Sequence, residues 1–496
     1  MSLPGKRIVQ STFDEVVREN IEDLELEPQE AVADAIEQFK AQGIELNNIV
    51  TDLEITDDGS SWHPVVKFAE KLCSHDKENF DSAAIKALLD KIQTECDKSL
   101  AHRVLAAKST PLFATLIAFA KSASGNADLS VTVLQTLSSF INGQPDLVTA
   151  DAMKLFLEIS ESESPLLCLY AVRLIKLSCV MHEENRQTFV ASGLVPQLAS
   201  ILTAHKDNCD IIKEVCQAFR SLTLDDDPRV PFCKAHDHAK MIVLEAEALE
   251  LLLDIAKSYD DDVVLAEIFA TLGKLAVRNE FCQRIVDLGG LDLMLRVLHN
   301  NVKNKVIVTN IIGVLKVIAG NDDVKVAVTK SDAPGIIVEA MDHHQQSEAL
   351  CANSCACLAT ISLRNPHNVK RIMECHGHTA VLQCMKVHPN STKVQKQACL
   401  AIRNLIARAR ENCDAILALG AEELVNQAMY VPECRDEAKA ALRDLGCKVE
   451  LTERWKGRKA KYLNATSQEY NRILCGQVGR LGECQVIGLA LLVYQY

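Results

Sequence analysis

A pair of apolar residues three positions apart recurs along this chain at a nearly constant interval. The pairs are Leu174 and Leu177, Phe219 and Leu222, Leu272 and Leu275, Leu315 and Ile318, Leu358 and Ile361, Ile402 and Leu405, and Leu442 and Leu445. Successive pairs begin 45, 53, 43, 43, 44 and 40 residues apart. This spacing places both side chains on one helix face, and the period predicts an all-α solenoid of stacked repeats. Because each repeat buries its apolar face against its neighbours, all repeats can form one elongated domain.

The segment from His367 to Arg410 shows one complete unit. A first helix, HNVKRIMECH, ends at Gly377, a second, TAVLQCMKVH, ends before Pro389, and the third, STKVQKQACLAIRNLIARAR, carries the apolar pair. We expect glycine to permit the sharp turn between the first and second helices, because it has no Cβ to clash. The turn glycines of the array are Gly193, Gly289, Gly335, Gly377 and Gly420, and one unit has Ala246 and Glu247 instead.

One interval, of 53 residues, is longer than the others. The excess falls in DDDPRVPFCKAHDHAKM, from Asp225 to Met241, where two prolines and three consecutive aspartates predict a surface loop. Insertions in solenoids often project from the binding face. The loop is therefore either a tolerated insertion or a contact for a partner.

The ends of the chain lack the regular pattern, which divides it into three predicted parts. Residues 1–61 contain two helical stretches, Ser11–Leu26 and Pro28–Gly43, and then an acidic linker. These helices either cap the array or form an independent docking element. Residues 62–450 form the array, in which the units before about residue 146 are poorly marked. Residues 451–496 form a tail that loses the period.

Composition and charge restrict the class of partner. The formal net charge is -14, and residues 1–61 hold 15 acidic against 4 basic residues. The absence of a basic stripe disfavours nucleic acid. No apolar run approaches the roughly 20 residues that a membrane helix needs, and the start, MSLPGKRIVQ, lacks the apolar core of a secretory signal. The 19 scattered cysteines indicate free thiols in a reducing compartment, so we expect a cytoplasmic or nuclear protein.

The glycine turns and the third helices resemble the armadillo repeat over roughly residues 146–445. The leader KRIVQSTFDEVVRENIEDLELEPQEAVADAIEQF and the segments NRQTFVASGLVPQL and ENCDAILALGAEELV resemble one family within the armadillo-repeat proteins. The resemblance implies an armadillo-type right-handed superhelical solenoid of three-helix repeats. It also implies an intracellular interaction protein without catalysis. We further predict that the protein uses no cofactor.

Importin-like armadillo proteins line their groove with asparagines on the third helices, beside tryptophans. The residues that would supply this ladder here are Lys176, Ser221, Lys274, Val317, Thr360, Asn404 and Asp444. Only one of them is asparagine, and Trp62 and Trp455 lie outside the clear repeats. The resemblance therefore does not extend to a nuclear-signal receptor.

The predicted third helices are basic relative to the body of the array. Their seven stretches carry a summed charge of +5, whereas residues 62–450 carry -7. Opposite potentials steer and orient a partner, so we expect the groove to bind an acidic or extended segment of another protein. The candidate contact residues are Lys176, Ser221, Lys274, Thr360, Arg403 and Asn404. The alternative is that they are ordinary solvated helix residues.

Cysteine and histidine cluster in three places. Zinc-preferred ligands occur in CKAHDH (Cys233, His236, His238) and in ECHGHTAVLQC (Cys375, His376, His378, Cys384). Neither group has the spacing of a zinc finger, so we predict no metal at either. Cys351, Cys355 and Cys357 share one predicted third helix, and we interpret them as packing residues, with redox sensitivity as the alternative.

The sequence contains no motif for catalysis. A phosphate loop, a dinucleotide fingerprint, a nucleophile elbow and a zinc-protease helix are all absent, so we predict neither an enzyme nor a small-molecule substrate. Two functions remain, because both need only a shaped surface. One is a protein-interaction scaffold or adaptor that binds a partner segment along the groove. The other is a regulator of an enzyme, such as an exchange factor for a small GTPase or a chaperone factor.

Overall fold

A computed structural model describes residues 6–55, 61–76 and 80–449. The predicted tail, residues 451–496, and Trp455 lie outside the described residues. The described chain is an all-α solenoid with two very short strands, as the 43-residue period predicted.

The leader is a helical hairpin with a core of its own. It comprises α1 (Gln10–Glu22) and α2 (Pro28–Ala41), which bury Phe13 and Phe39 with their ring centroids 6.0 Å apart. Gln10 fixes the exit of the hairpin, because its amide donates to Val50 O and accepts from Val50 N, both at 2.8 Å. This core is separate from the core of the array, which begins at Val65.

The predicted linker after the hairpin is not structureless where it is described. Two strands, β1 (Glu54–Ile55) and β2 (Ser61–Trp62), pair antiparallel, with Glu54 opposite Trp62. The chain then enters the array at His63, whose Nδ1 lies 3.1 Å from Asp52 O.

The first part of the array has irregular units. Its helices are α3 (Pro64–Cys73), α4 (Ser82–Lys98), α5 (Leu100–Ser109), α6 (Leu112–Ser122), α7 (Ala127–Ile141), α8 (Ala150–Ser160) and α9 (Pro165–Cys179). Among the described residues no single helix is long and apolar enough to span a membrane. Only α5 and α6 together pass that test, and an 87° bend separates them.

Six complete repeats of three helices follow. Their helices are α10 (Glu183–Ala191), α11 (Leu194–Ala204), α12 (Cys209–Leu222), α13 (Ala235–Leu244), α14 (Ala248–Ser258), α15 (Asp262–Leu275), α16 (Asn279–Asp287), α17 (Gly290–Asn300), α18 (Lys305–Ile318), α19 (Asp322–Lys330), α20 (Ala333–His343), α21 (Glu348–Ser362), α22 (Pro366–Glu374), α23 (Gly377–Val387), α24 (Thr392–Ile406), α25 (Asn412–Leu417), α26 (Ala421–Ala428) and α27 (Arg435–Leu445). The array is therefore more regular after residue 183 than before it.

The third helices form the inner layer of the array. In the described part of the chain they are α4, α7, α9, α12, α15, α18, α21, α24 and α27. Each packs on the next more closely than successive first or second helices do. A stack that is tighter on one side curves toward that side, so the third helices line the concave face.

The recurring apolar pairs hold this layer together. All their members are buried except Leu177, which is half-buried. Each fully buried leucine or isoleucine contributes roughly 1.5–3 kcal/mol relative to an exposed one. One continuous apolar core runs from Val65 to Leu445.

Most third helices of the complete repeats begin at a side chain that caps them. Asn208 Oδ1 accepts from Asp210 N and Ile211 N at the start of α12, and Asp261 and Asn304 cap α15 and α18 in the same way. Such a cap satisfies backbone donors that have no partner within the helix. In these repeats the polar residue before the apolar run therefore marks where the inner helix begins.

The glycine prediction is correct in three repeats and wrong in two. Gly193, Gly289 and Gly420 adopt φ of 89°, 80° and 81° just before a second helix. Gly377 is instead the first residue of α23, and His376 before it adopts the left-handed conformation, with φ 60°. A Cβ on Gly377 would lie 2.5 Å from Ile372 Cγ2, so close packing requires glycine there.

Gly335 also does not form the predicted turn. It lies inside α20, whose preceding residue, Asp332, has φ -80°. In the repeat without a turn glycine, Glu247 takes the left-handed conformation, with φ 47°.

The prediction of a loop from Asp225 to Met241 is correct only for its first half. Helix α13 begins at Ala235, so the second half of that segment is the first helix of its repeat. The remaining residues contact the start of α10, where Glu183 N donates to Asp227 Oδ2 at 2.9 Å and Glu183 Oε1 accepts from Lys234 N at 2.7 Å. Phe232 in this segment is 82% exposed.

We predict that Glu247→Gly stabilises the protein by about 0.5–1 kcal/mol. The side chain is exposed, and a left-handed conformation costs a non-glycine residue about 1–2 kcal/mol, partly offset by the greater freedom of glycine in the unfolded chain. Urea unfolding followed by circular dichroism measures the change. Glu245→Gly is the matched control, because Glu245 is exposed with φ -98° and should only lose stability. A lower midpoint for Glu247→Gly would contradict the strain at this turn.

Candidate binding groove

The candidate site is the surface of the third helices from α9 to α27, which we call the groove. Its polar side chains occupy similar positions on successive third helices. Many of them therefore contact a polar side chain of the neighbouring repeat. The geometry of these contacts decides which predicted contact residues remain accessible.

Glu214 on α12 links two repeats through a shared acceptor. Its Oε1 accepts from Arg173 Nε at 2.7 Å, and its Oε2 accepts from Lys176 Nζ at 2.6 Å. Lys176 also donates to Gln217 Oε1 at 2.7 Å. The Glu214 side chain is only 9% exposed, so water screens these contacts poorly.

The polar network continues from α12 to α15. Arg220 forms an ion pair with Glu267 and donates to Thr271 Oγ1 at 2.9 Å. Gln217 Nε2 donates to Glu267 Oε1 at 3.4 Å, which joins this contact to the one at Glu214. Three consecutive third helices are therefore connected by one chain of polar contacts.

A second group of ion pairs joins α24 to α27. Arg403 Nε lies 2.9 Å from Asp444 Oδ2, and Lys396 Nζ lies 3.0 Å from Glu437 Oε1. In both groups the cation lies on one repeat and the carboxylate on the next. Both members of each pair lie on third helices and are already counted in the summed charge of +5, so the pairing decides which of the cations remain available to a partner.

The six predicted contact residues differ in how they are placed. Lys176 and Arg403 are paired as described above, with side chains 17% and 26% exposed. Ser221 is 4% exposed, and its Oγ donates to Ala218 O at 2.8 Å, so it contributes to packing and reaches no groove surface.

The other three lie closer to the groove surface. Thr360 is half-buried, and its Oγ1 donates to Ala356 O at 2.9 Å. Asn404 Nδ2 donates across the repeat boundary to Ala359 O at 2.8 Å. Lys274 is exposed and has no hydrogen-bond or ion-pair partner among the residues described.

The loop after α12 forms an ion network that the sequence patterns did not reveal. Arg186 is fully buried, with Nε 2.8 Å from Glu183 Oε2 and Nη1 2.7 Å from Asp226 Oδ1. The Arg229 guanidinium hydrogen bonds to Asp227 and lowers the pKa of that carboxyl. The only available signal was a run of acids and bases, which does not identify partners 40 residues apart.

The cysteine and histidine groups do not converge as metal sites in the described residues. His238 is buried and its Nδ1 lies 3.0 Å from Leu222 O, whereas His236 is exposed. His376 and His378 have ring centroids 6.3 Å apart. Cys351, Cys355 and Cys357 are all buried, and burial raises the pKa of the Cys357 thiol to about 12.

The repeat geometry and the inner layer of third helices define an armadillo-repeat protein. An engineered protein of solved structure superposes with a TM-score of 0.59 at 17% identity, covering 78% of this chain and 100% of its own. A structure from work on the interaction between cadherin and beta-catenin gives 0.52 at 16% identity, covering 76% and 68%. At this identity the likeness shows the fold.

Sequence comparison identifies the particular family. The family ARMC6 matches residues 64–464, and the armadillo repeat-containing protein 6 N-terminal domain matches residues 5–71. Armadillo repeat-containing protein 6 of Homo sapiens is 41% identical over 474 residues, which cover 92% of this chain and 94% of the relative. The Drosophila melanogaster homolog is 34% identical, with coverage of 93% and 100%. The chain belongs to the armadillo repeat-containing protein 6 family, so the resemblance noted in the leader and repeats is confirmed.

We predict that Glu214→Gln destabilises the protein by about 1–2 kcal/mol. The substitution keeps the size of the side chain but leaves Arg173 and Lys176 without their shared carboxylate. Equilibrium urea unfolding measures the loss. Asp254→Asn is the control, because its pair with Lys257 is exposed and should change stability by less than about 0.5 kcal/mol. Equal effects of the two substitutions would show that the groove contact adds nothing beyond a surface pair.

Proposed function

We propose that this chain is a non-catalytic scaffold or adaptor that binds a segment of another protein along the groove. The observation that carries the proposal is the continuous inner layer of third helices, which presents side chains at the same register over several repeats. A surface of this kind suits an extended segment, because successive residues of the segment meet successive helices. The interaction between cadherin and beta-catenin, studied with a protein of the same fold, supports this mode by analogy.

The chemistry of the partner segment follows from the cations that the array leaves accessible. Lys274 is exposed without a partner in the described residues, and Lys316, one repeat further, donates only to the neutral Asn353 Oδ1, at 3.2 Å. Lys176 and Arg403 share their charge with Glu214 and Asp444. We therefore expect an acidic segment to contact the groove first at α15 and α18, with Thr360 and Asn404 adding polar contacts further along.

The proposed location is the cytoplasm or the nucleus. The 17 cysteines in the described part of the chain are all free, and many are buried in the helical core. Free buried thiols are typical of a reducing compartment.

We predict that Lys274→Glu weakens partner binding about fivefold. Reversing a charge that faces an acidic segment costs roughly 1 kcal/mol, and the substitution removes no contact within the described array. Affinity purification from cells with quantitative mass spectrometry measures recovery of each partner. Recovery of a groove partner from the wild type should also fall as salt is raised.

Lys330→Glu is the matched control for this experiment. Lys330 is also an exposed lysine without a partner in the described residues, but it lies on the first helix α19, outside the inner layer. The proposal requires loss with Lys274→Glu and retention with Lys330→Glu. Identical partner recovery from both variants would refute binding at the groove.

A further inference from the structure

Three side chains from separate elements meet where the leader touches the array. Asp52 precedes β1, Glu95 lies in the last turn of α4, and His102 lies in the first turn of α5. One ligand atom from each lies within 4.8 Å of the other two. We propose that these three side chains bind Zn²⁺, and that the ion fastens the leader hairpin to the first helices of the array.

The spacing of two of the donor atoms fits a tetrahedral ion, and a ligand atom of Glu95 lies within 4.8 Å of both. His102 Nε2 lies 3.4 Å from Asp52 Oδ2. Two ligands at the usual zinc distances of about 2.0–2.1 Å are about 3.3 Å apart in a tetrahedral site. These two atoms therefore already hold the separation that coordination needs, and Glu95 completes three protein ligands with a fourth position left for water.

One buried donor atom lacks a well-aligned partner among the described residues. His102 is 7% exposed, and its Nε2 makes no hydrogen bond of good geometry, since the nearest acceptor, Asp52 Oδ2, lies 3.4 Å away. Glu95 is 8% exposed, and in the described part of the chain its Oε2 contacts the Lys98 ammonium. The other ring nitrogen of His102, Nδ1, lies 2.8 Å from Ser99 Oγ. A metal-binding histidine is usually held by such a contact on its second nitrogen, which orients the first toward the ion.

The ammonium group of Lys98 already lies between the carboxylates of Asp52 and Glu95. Lys98 Nζ lies 2.8 Å from Asp52 Oδ2 and 2.9 Å from Glu95 Oε2. This ammonium balances the two carboxylates and does not contact the His102 ring in the described structure. The Lys98 side chain is 40% exposed, so it can move into solvent when a divalent ion replaces it.

The donor set selects the class of ion. One imidazole with two carboxylates suits Zn²⁺, whereas Mg²⁺ prefers oxygen ligands and keeps most of its water. The three ligands also come from both sides of the junction, since Asp52 belongs to the leader and the other two belong to the array. Binding should therefore stabilise the contact between them as well as the site itself.

Equilibrium dialysis of the full-length protein against Zn²⁺, with excess Mg²⁺ present, tests the site. The wild type should bind one more equivalent than His102→Gln, or bind it roughly 100-fold more tightly. His182→Gln is the matched control, because His182 is also mostly buried and its Nε2 lies 3.1 Å from a carboxylate, Asp146 Oδ1, outside the proposed site. This variant should bind Zn²⁺ as the wild type does. If His102→Gln and the wild type bind Zn²⁺ alike, the proposal is wrong.

A variant that should bind Zn²⁺ more tightly provides a second test. A gain of zinc affinity cannot result from misfolding of the variant. Lys98→Gln removes the competing ammonium, so Zn²⁺ should bind about tenfold more tightly. If the cluster is only a salt bridge, the same substitution will leave zinc affinity unchanged or lower, which refutes the site.

Hydrogen exchange tests the role of the ion at the junction. Zn²⁺ should slow amide exchange in α1 and α2 of the wild type and of Lys98→Gln, and should have no effect in Asp52→Asn, where the leader loses its ligand. Equal slowing in all three proteins, or in none, would overturn the proposed fastening of the leader.

Discussion

The apolar contact between one third helix and the next is the interaction on which the rest of the molecule depends. Each third helix is short, and it buries a complete apolar face only when a neighbouring repeat covers it. The near-constant interval between the apolar pairs lets every third helix meet the next at the same register. The curvature of the array, the inner face and the alignment of polar side chains all follow from this repetition.

Polar contacts between repeats use the register that apolar packing establishes. Glu214, Glu267 and Asp444 each accept from cations of an adjacent repeat. Such pairs hold several cations of the inner face, Lys176, Arg220 and Arg403 among them, against carboxylates of the array. These carboxylates are already counted in the summed charge of the third helices, so pairing leaves that sum unchanged and decides which cations a partner can reach.

The sequence predicted the repeats well because their signals are local and recur. The apolar pairs identified all seven third helices from α9 onward, and Pro28 correctly marked the start of α2. The turn glycines were predicted less well, because Gly377 is required by packing against Ile372 and His376 adopts the left-handed conformation instead. A sequence pattern indicates that glycine is needed at a position. It does not distinguish a left-handed backbone conformation from close packing as the reason.

The candidate site was less predictable, since its properties depend on partners distant in sequence. The buried position of Ser221, the pairing of Lys176 and the network of Arg186 all result from contacts some 40 residues away or from the rotation of one helix. The accessibility of Lys274 could not be inferred either, because its neighbours in the sequence resemble those of the paired lysines. The packing of the repeats against each other shows which cations are paired within the array and which are available to a partner.

The buried Arg186 has a consequence for how the array comes apart. In a stack where each unit touches only its neighbours, melting begins at the termini, where a unit has one neighbour instead of two. Arg186 and the loop residues Asp226 and Arg229 cross-link adjacent repeats away from both termini. Unfolding that starts at either end of the array should therefore slow at this cross-link. The repeats around Arg186 should remain folded after the repeats at both ends have unfolded.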